Sequence, residues 1–177
     1  YNGIYSDEGF KSFPDMNGDG KKEMLMATPG GYAAPGRCLY LISGVDGTTI
    51  WEWAACEVMP SYTGWGYSCA ILSDMNEDSI PECAAGFGTS GSSNSGLLVC
   101  IDGASGDSLW TTSLPDAGED VEAFTDVNAD GFEDILLAVG GNGYTDDTAR
   151  LIDGATGDLL WQNDPGGDCM AIALVDQ

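Results

Sequence analysis

Histidine is absent from this sequence of 177 residues, and only five lysine and arginine residues oppose 29 aspartate and glutamate residues. The lack of histidine excludes Ser-His-Asp and Cys-His catalysis and the common zinc sites. The formal net charge of -24 repels nucleic acid and anionic membrane surfaces, so we expect neither as a partner. Because so large a charge destabilises a compact chain, the composition favours a fold completed by cations.

Long apolar runs and helical periodicity are also missing. The longest apolar run, "CMAIALV" from Cys169, has seven residues, whereas a membrane-spanning helix needs about 18. The apolar segments are short, rich in β-branched and aromatic residues, and bounded by Gly, Asp and Asn, which is typical of strands. The sequence therefore predicts an all-β protein without membrane insertion.

A C-x-x-C pair does not occur, although the chain has six cysteines. Zinc and thioredoxin-type chemistry are thus not indicated, and structural disulfides in an extracellular protein are favoured over buried thiols. The expected pairs are Cys83 with Cys100, which flank the loop "GTSGSSNSG" at equal distance, Cys56 with Cys69, and Cys38 with Cys169. For Cys38 and Cys169 an intermolecular bond is an equal alternative.

An acidic loop of nine residues occurs three times: "DMNGDGKKE", "DMNEDSIPE" and "DVNADGFED". Each copy has an acid or amide at positions one, three and five and a carboxylate at position nine, and position seven offers its backbone carbonyl. Hard oxygen ligands in this number suit Ca²⁺, so we expect about three calcium ions. The predicted ligands are Asp15, Asn17, Asp19, Lys21 and Glu23; Asp74, Asn76, Asp78, Ile80 and Glu82; and Asp126, Asn128, Asp130, Phe132 and Asp134.

The sixth loop position is Gly20 in the first copy and Gly131 in the third, but Ser79 in the second. A left-handed backbone at Ser79 costs about 1 kcal/mol, so the second site is predicted to be the weakest. An EF-hand fits poorly, because its twelfth-position glutamate would fall on Met26 or Leu137. The alternative interpretation is that the loops are Asx turns with solvated acids.

The acidic loops belong to a larger repeat, since their first residues lie 59 and 52 residues apart. Each unit reads as a strand, the acidic loop, two further strands, a tight turn, and a fourth strand that contains a tryptophan. Four-stranded units of this length are typical of propeller blades, which bury their faces against each other. We predict one β-propeller-like domain over 1–177, with blades at about 9–60, 67–114 and 119–165 and the first strand of a fourth blade at 168–175.

The predicted number of blades is too small for a closed ring, because propellers have about four to eight blades. The chain is therefore expected to be either part of a larger propeller or a unit that completes its sheets with copies of itself. Self-association through exposed strand edges would then build a ring or a filament.

The acidic loop resembles the D-x-[DN]-x-D-G-x-x-[DE] hairpin of FG-GAP repeats, found in integrin α-subunit propellers and in bacterial surface proteins. The Phe-Gly and Gly-Ala-Pro parts that give these repeats their name are only partly kept, at Phe87 with Gly88 and in the stretch 34–36. The resemblance implies an extracellular, calcium-binding β-propeller with a role in cell adhesion.

A second resemblance concerns "DGASGDSLW" at Asp102 and "DGATGDLLW" at Asp153, which are similar to the tryptophan-docking turns of quinoprotein-like propellers. "SGVDGTTIW" in the first unit keeps only the glycine and the tryptophan. The resemblance implies that Trp51, Trp110 and Trp161 are structural residues packed between blades. Trp53 and Trp65 have no counterparts in the other units and are expected to be exposed.

These features together predict a non-catalytic extracellular calcium-binding module with a structural or adhesive role, which associates with itself or with neighbouring blades and binds a protein or glycan ligand. The alternative is a fragment of a secreted propeller enzyme or carbohydrate-binding protein. A two-carboxylate glycosidase would draw on Glu57, Glu119, Asp120 and Asp168. We expect these acids to form a solvated rim instead.

Overall fold

The computed structural model describes residues 9–28, 38–58, 65–88, 96–140, 147–167 and 169–173. Their regular structure consists of strands and a single turn of helix. In chain order these are β1 (Phe10–Phe13), β2 (Glu23–Ala27), β3 (Cys38–Ile42), β4 (Thr49–Ala54), α1 (Ala55–Val58), β5 (Trp65–Ile71), β6 (Cys83–Gly88), β7 (Gly96–Ile101), β8 (Ser108–Leu114), β9 (Gly118–Phe124), β10 (Asp134–Val139), β11 (Thr148–Ile152) and β12 (Leu159–Asn163).

The strands form three antiparallel sheets of four, each in chain order: β1–β4, β5–β8 and β9–β12. We call these sheets blade 1, blade 2 and blade 3. This arrangement confirms the predicted all-β fold of three four-stranded repeats. The described residues do not form a closed ring, and 169–173 are not paired as a strand, so the predicted first strand of a fourth blade is not formed there.

Side chains alternate between the two faces of each strand, as the pleat requires. In β4, Trp51 and Trp53 point into the core, whereas Thr49, Ile50 and Glu52 are exposed. By contrast, β6 and β7 are buried along their whole length. Strands buried on both faces belong to a sheet covered on both sides, and blade 2 lies between the other two.

Two apolar cores join the blades face to face. The first contains Leu25 and Leu41 of blade 1 with Phe87 of blade 2, and the second contains Leu98 of blade 2 with Leu137 of blade 3. Each blade thus buries an apolar face against the next one, as expected for repeats that cannot bury enough surface alone.

The first strands of blades 2 and 3, β5 and β9, are joined by buried polar contacts. Val121 N donates to Ser68 Oγ (3.1 Å), and Ser68 Oγ donates to Asp120 Oδ1 (3.1 Å). The second oxygen of Asp120 accepts a hydrogen bond from Ile172 N at 2.7 Å. Asp120 therefore connects blade 2, blade 3 and the segment 169–173, and the prediction that it lies on a solvated rim is wrong.

Candidate metal loops and tryptophan docking

The first acidic loop is held by hydrogen bonds from its own backbone. Asp15 accepts from Gly18 N (2.7 Å) and Asp19 N (3.2 Å) through Oδ1, and from Gly20 N (2.8 Å) through Oδ2. Asn17 Oδ1 accepts from Asp19 N at 2.9 Å, and Asp19 Oδ1 accepts from Lys21 N at 2.8 Å. The backbone N–H groups around Asp15, with Gly20 the largest contributor, lower the pKa of this carboxyl below its ordinary value.

The other two loops repeat this pattern position by position. Asp74 accepts from the backbone N–H groups of positions four, five and six of its loop, and Asp126 does the same. The amides at position three and the acids at position five also bind the same backbone N–H groups in all copies. The three sequences therefore adopt one loop conformation.

Left-handed backbone occurs at the same two loop positions in every copy. The sixth residue has a φ of 85° at Gly20, 74° at Ser79 and 101° at Gly131. This confirms that Ser79 adopts the left-handed conformation expected of a glycine position. The fourth residue is also left-handed, even though Glu77 and Ala129 carry side chains there.

The carboxylates at the ninth loop position, Glu23, Glu82 and Asp134, are buried, with at most 2% of each residue exposed. Met75 N donates to Glu82 Oε2 (2.8 Å), and Val127 N donates to Asp134 Oδ2 (2.8 Å). One oxygen of each of these two, and both oxygens of Glu23, are buried without a hydrogen-bond partner. Burial raises the pKa of Glu82 and of Asp134 above the ordinary range.

These loops offer the oxygen chemistry of a calcium site but not a closed cluster of charges. Among the described residues, no group of three or more acidic, cysteine or histidine side chains lies close enough to hold a metal ion. The oxygens at positions one, three and five are turned toward backbone N–H groups. A carboxylate oxygen has two lone pairs, so an oxygen that accepts one N–H, such as Asp15 Oδ2, keeps a lone pair for a cation, whereas Asp15 Oδ1 accepts two. The donor types and the buried oxygens at position nine therefore fit a hard cation.

The tryptophans join each blade to the next through the tight turns. Trp51 Nε1 of blade 1 donates to the carbonyl of Gly103 in blade 2 (2.8 Å), and Trp110 Nε1 of blade 2 donates to that of Gly154 in blade 3 (2.9 Å). Each ring also covers a left-handed glycine: a Cβ at Gly106 would lie 2.8 Å from the ring of Trp51. The predicted packing of Trp51 and Trp110 between blades is confirmed.

The docking turns pack directly on the acidic loops of their own blade. A Cβ at Gly103 would lie 2.0 Å from the carbonyl oxygen of Pro81, and one at Gly154 would lie 1.9 Å from that of Glu133. Pro81 and Glu133 are the eighth residues of their loops and precede the buried carboxylates. The loop, the turn and the tryptophan of the preceding blade thus form one continuous contact.

The remaining tryptophans depart from the predictions. Trp161 is 42% exposed. Among the described residues, no further blade covers it, so the predicted packing of Trp161 between two blades is not seen. Trp53 is only 6% exposed and its ring lies 5.6 Å from that of Phe87, so the expectation that it is exposed is wrong. It points inward because it lies two residues after Trp51. The side chain of Trp65 lies outside the described part.

The predicted pairing of Cys83 with Cys100 is wrong. In the register of β6 and β7, Cys83 lies opposite Ile101, and Cys100 lies opposite Ala84. A shift of one residue places the two side chains on opposite faces of the sheet. Cys83 accordingly lies in the core between blades 1 and 2, whereas Cys100 lies in the core between blades 2 and 3.

The other cysteine pairs involve residues whose side chains are not described. Cys169 is a free, partly buried thiol, which contradicts its predicted bond to Cys38. Burial raises the pKa of the Cys69 thiol to about 12, and its predicted partner Cys56 lies outside the described side chains. That pairing stays a prediction.

Glu119 is buried at the start of β9, with 9% of the residue exposed. Burial, and to a smaller degree the neighbouring charge of Asp116, raises the pKa of Glu119 to about 7. The expectation of a solvated rim is therefore wrong for this residue as well. The side chain of Glu57 and the whole of Asp168 lie outside the described residues.

The turn at 43–48 in blade 1, where the sequence keeps only the glycine and the tryptophan of the docking motif, has the conformation of the two docking turns. Ser43 N donates to Thr48 O (2.8 Å) and Gly47 N donates to Ser43 O (3.0 Å), as at the equivalent positions of the other blades. Gly47 is left-handed, with a φ of 75°. The shared glycine and its spacing to the tryptophan are therefore sufficient for this turn conformation.

The sequence matches no protein-family model and no curated protein sequence. The resemblance to FG-GAP repeats therefore stays a prediction from the sequence of the acidic loops. Among the described residues, no helix is long and apolar enough to cross a membrane.

Proposed function

We propose that this chain is a non-catalytic, calcium-binding β-propeller repeat module of the FG-GAP type, with a structural or adhesive role outside the cell. The observation that supports it best is the buried, unpartnered carboxylate oxygen at the ninth position of every acidic loop. A buried polar atom without a partner costs free energy, and a buried charge costs more. A bound cation would remove that cost in all three loops at once.

Calcium suits these loops better than magnesium. Three side chains at alternate positions, a backbone carbonyl and a carboxylate at position nine offer enough oxygens for the six to eight ligands that calcium takes. Magnesium prefers fewer protein ligands and keeps several waters. In the first loop the proposed ligands are Asp15, Asn17, Asp19, Glu23 and the carbonyl of Lys21.

Calcium would also strengthen the stacking of blades. The eighth residue of a loop contacts the turn that receives the tryptophan of the preceding blade, as Pro81 contacts Gly103 beneath Trp51. In blade 3, Asn128 Nδ2 donates to Asp130 (3.1 Å) and to Asp153 of the docking turn (3.0 Å). Ordering the loop around an ion would therefore order the docking turn.

The proposed location follows from the affinity that such sites have. Extracellular calcium modules bind with dissociation constants of about 10⁻⁴ to 10⁻³ M, which suits millimolar calcium outside cells. At 1 mM calcium and a dissociation constant of about 10⁻⁴ M, each site adds about 1.4 kcal/mol to the free energy of unfolding, or about 4 kcal/mol for three sites. The net charge of -24 makes the chain a ready acceptor of cations.

The experiment compares Glu82→Gln with Glu77→Gln in thermal melts, each with 1 mM calcium and with chelator. Glu82 is the buried ninth-position carboxylate, and Glu77 is an exposed acid in the same loop that is not a proposed ligand. The wild-type chain should melt about 10 °C higher with calcium.

The two variants should differ in how much calcium stabilises them. Glu82→Gln should lose about a third of the calcium-dependent stabilisation, yet in chelator it should be at least as stable as wild type, because it removes a buried charge. Glu77→Gln should keep the whole calcium effect. A wild-type melting temperature that calcium leaves unchanged would refute the proposed function.

A further inference from the structure

The contact between consecutive blades has two halves, a tryptophan on the fourth strand and a turn that receives it. Blade 1 donates Trp51 to the turn of blade 2, and blade 2 donates Trp110 to the turn of blade 3. Blade 3 has its own tryptophan, Trp161, and blade 1 has its own turn at 43–48. These two half-contacts lie at opposite ends of the array of blades.

The tryptophan half is uncovered in blade 3. Trp161 is 42% exposed, whereas Trp51 is 8% exposed. In the register of blade 3, Trp161 lies opposite the buried Leu151, just as Trp51 lies opposite Leu41 in blade 1. The segment 169–173 contacts β9, which is the strand of blade 3 farthest from β12. In the described part of the chain, no segment is seen to cover the outer part of this face, where Trp161 is 42% exposed.

The receiving half is uncovered in blade 1. A Cβ at Gly106 or at Gly157 would lie within 3 Å of a docked indole, whereas no atom of the described residues lies within 4 Å of the equivalent point at Gly47. The backbone at Gly47 is nevertheless already left-handed, with the same turn hydrogen bonds as the occupied turns. The turn therefore has the shape of a docking site.

The sheet beneath this turn is uncovered as well. Met24 follows the ninth loop position and is 37% exposed, whereas its counterparts Cys83 and Ile135 are fully buried against the preceding blade. Exposed apolar residues at positions that are core elsewhere in the repeat mark a face that another blade fits.

We propose that the Trp161 face of one copy docks on the 43–48 turn of a second copy, with the indole N–H donating to the carbonyl of Gly44. A second copy is the occupant that the structure supports, because both halves of the contact are present on one chain and match the two internal contacts. Such a head-to-tail contact is heterologous, so it closes into a ring or continues as a fibre. Two copies would supply six blades, within the range of about four to eight in closed propellers.

This inference deepens the structural role in the proposed function, but it does not depend on bound calcium. Its test is the mass of the 177-residue chain by light scattering over a range of concentrations, with calcium and with chelator. Trp161→Ala should weaken association by about 30-fold or more, as expected for a buried tryptophan at the centre of an interface. Leu160→Ala removes a similarly exposed apolar side chain from the opposite face of β12 and should leave the mass unchanged.

The receiving turn is tested by Gly47→Asn. Asparagine tolerates left-handed backbone, and its side chain would fill the place of the incoming ring, where no atom of the described residues lies within 4 Å of a Cβ at Gly47. Gly18→Asn is the matched control, since Gly18 is left-handed with open space around it and the equivalent residues Glu77 and Ala129 carry side chains. Gly47→Asn should abolish association, and Gly18→Asn should not.

Mixing the two interface variants gives the sharpest result. Trp161→Ala keeps an intact turn and Gly47→Asn keeps an intact tryptophan, so each alone should be monomeric while an equimolar mixture forms a dimer and nothing larger. A wild-type chain that is monomeric at all concentrations, or a mixture that stays monomeric, would overturn the inference. Either result could coexist with a full calcium response in the melts, so the two proposals fail separately.

Discussion

Replacing Trp51 tests whether the blades are held together by the tryptophan contact. The residue is 8% exposed, its Nε1 donates to Gly103 O at 2.8 Å, and its ring covers Gly106. Trp51→Ala should therefore lower the free energy of unfolding by about 3–5 kcal/mol, as for other buried aromatic residues. Trp51→Phe keeps most of the apolar contact but leaves the Gly103 carbonyl without its donor, which should cost about 1–3 kcal/mol.

The internal control is Trp161, which has the same position in its blade but is 42% exposed. Trp161→Ala should cost about 0.5 kcal/mol or less in the monomer, as surface substitutions do. The assay is urea unfolding followed by far-ultraviolet circular dichroism, at a protein concentration where all variants are monomeric. Equal losses for Trp51→Ala and Trp161→Ala would show that docking on the next blade contributes nothing to stability.

Three other predictions concern single positions. Ser79→Gly should raise the free energy of unfolding by about 1 kcal/mol, because Ser79 has a φ of 74° that favours glycine; a lower melting temperature would contradict this. Glu119 has a folded-state pKa raised to about 7 from about 4.3 in an unfolded chain. Its contribution to stability is therefore complete below about pH 4.3 and is lost as the pH rises through 7, so Glu119→Gln should be the more stable protein at pH 8 and close to wild type at pH 4; identical pH profiles would refute this. Cys83 and Cys100 should resist a thiol reagent in the native state, because burial raises the pKa of both thiols; a peptide map showing a disulfide between them would contradict the register.

Features set by a few neighbouring residues could be predicted from the sequence. The strands follow from short apolar segments between turn residues, and the acidic loops follow from alternating oxygens around a left-handed sixth position. The packing of Trp51 and Trp110 between blades was predicted from the resemblance of their turns to tryptophan-docking motifs.

Features that depend on register or on distant strands could not be predicted in this way. Counting residues across the hairpin placed Cys83 opposite Cys100, but the actual register differs by one residue, and one residue reverses the face. The burial of Asp120 depends on the approach of β5 to β9, which no local pattern encodes. The burial of Trp53 could have been predicted, since the two-residue alternation of a strand places its side chain on the same face as that of Trp51.

The most direct test of the calcium proposal is an isothermal titration of the chelator-treated chain with calcium. The account predicts binding of about three ions per chain, the weakest of them at the loop of Asp74, and a loss of one ion in Glu82→Gln but none in Glu77→Gln. Absence of any saturable binding up to several millimolar calcium would contradict it and would leave the loops as backbone-bonded turns.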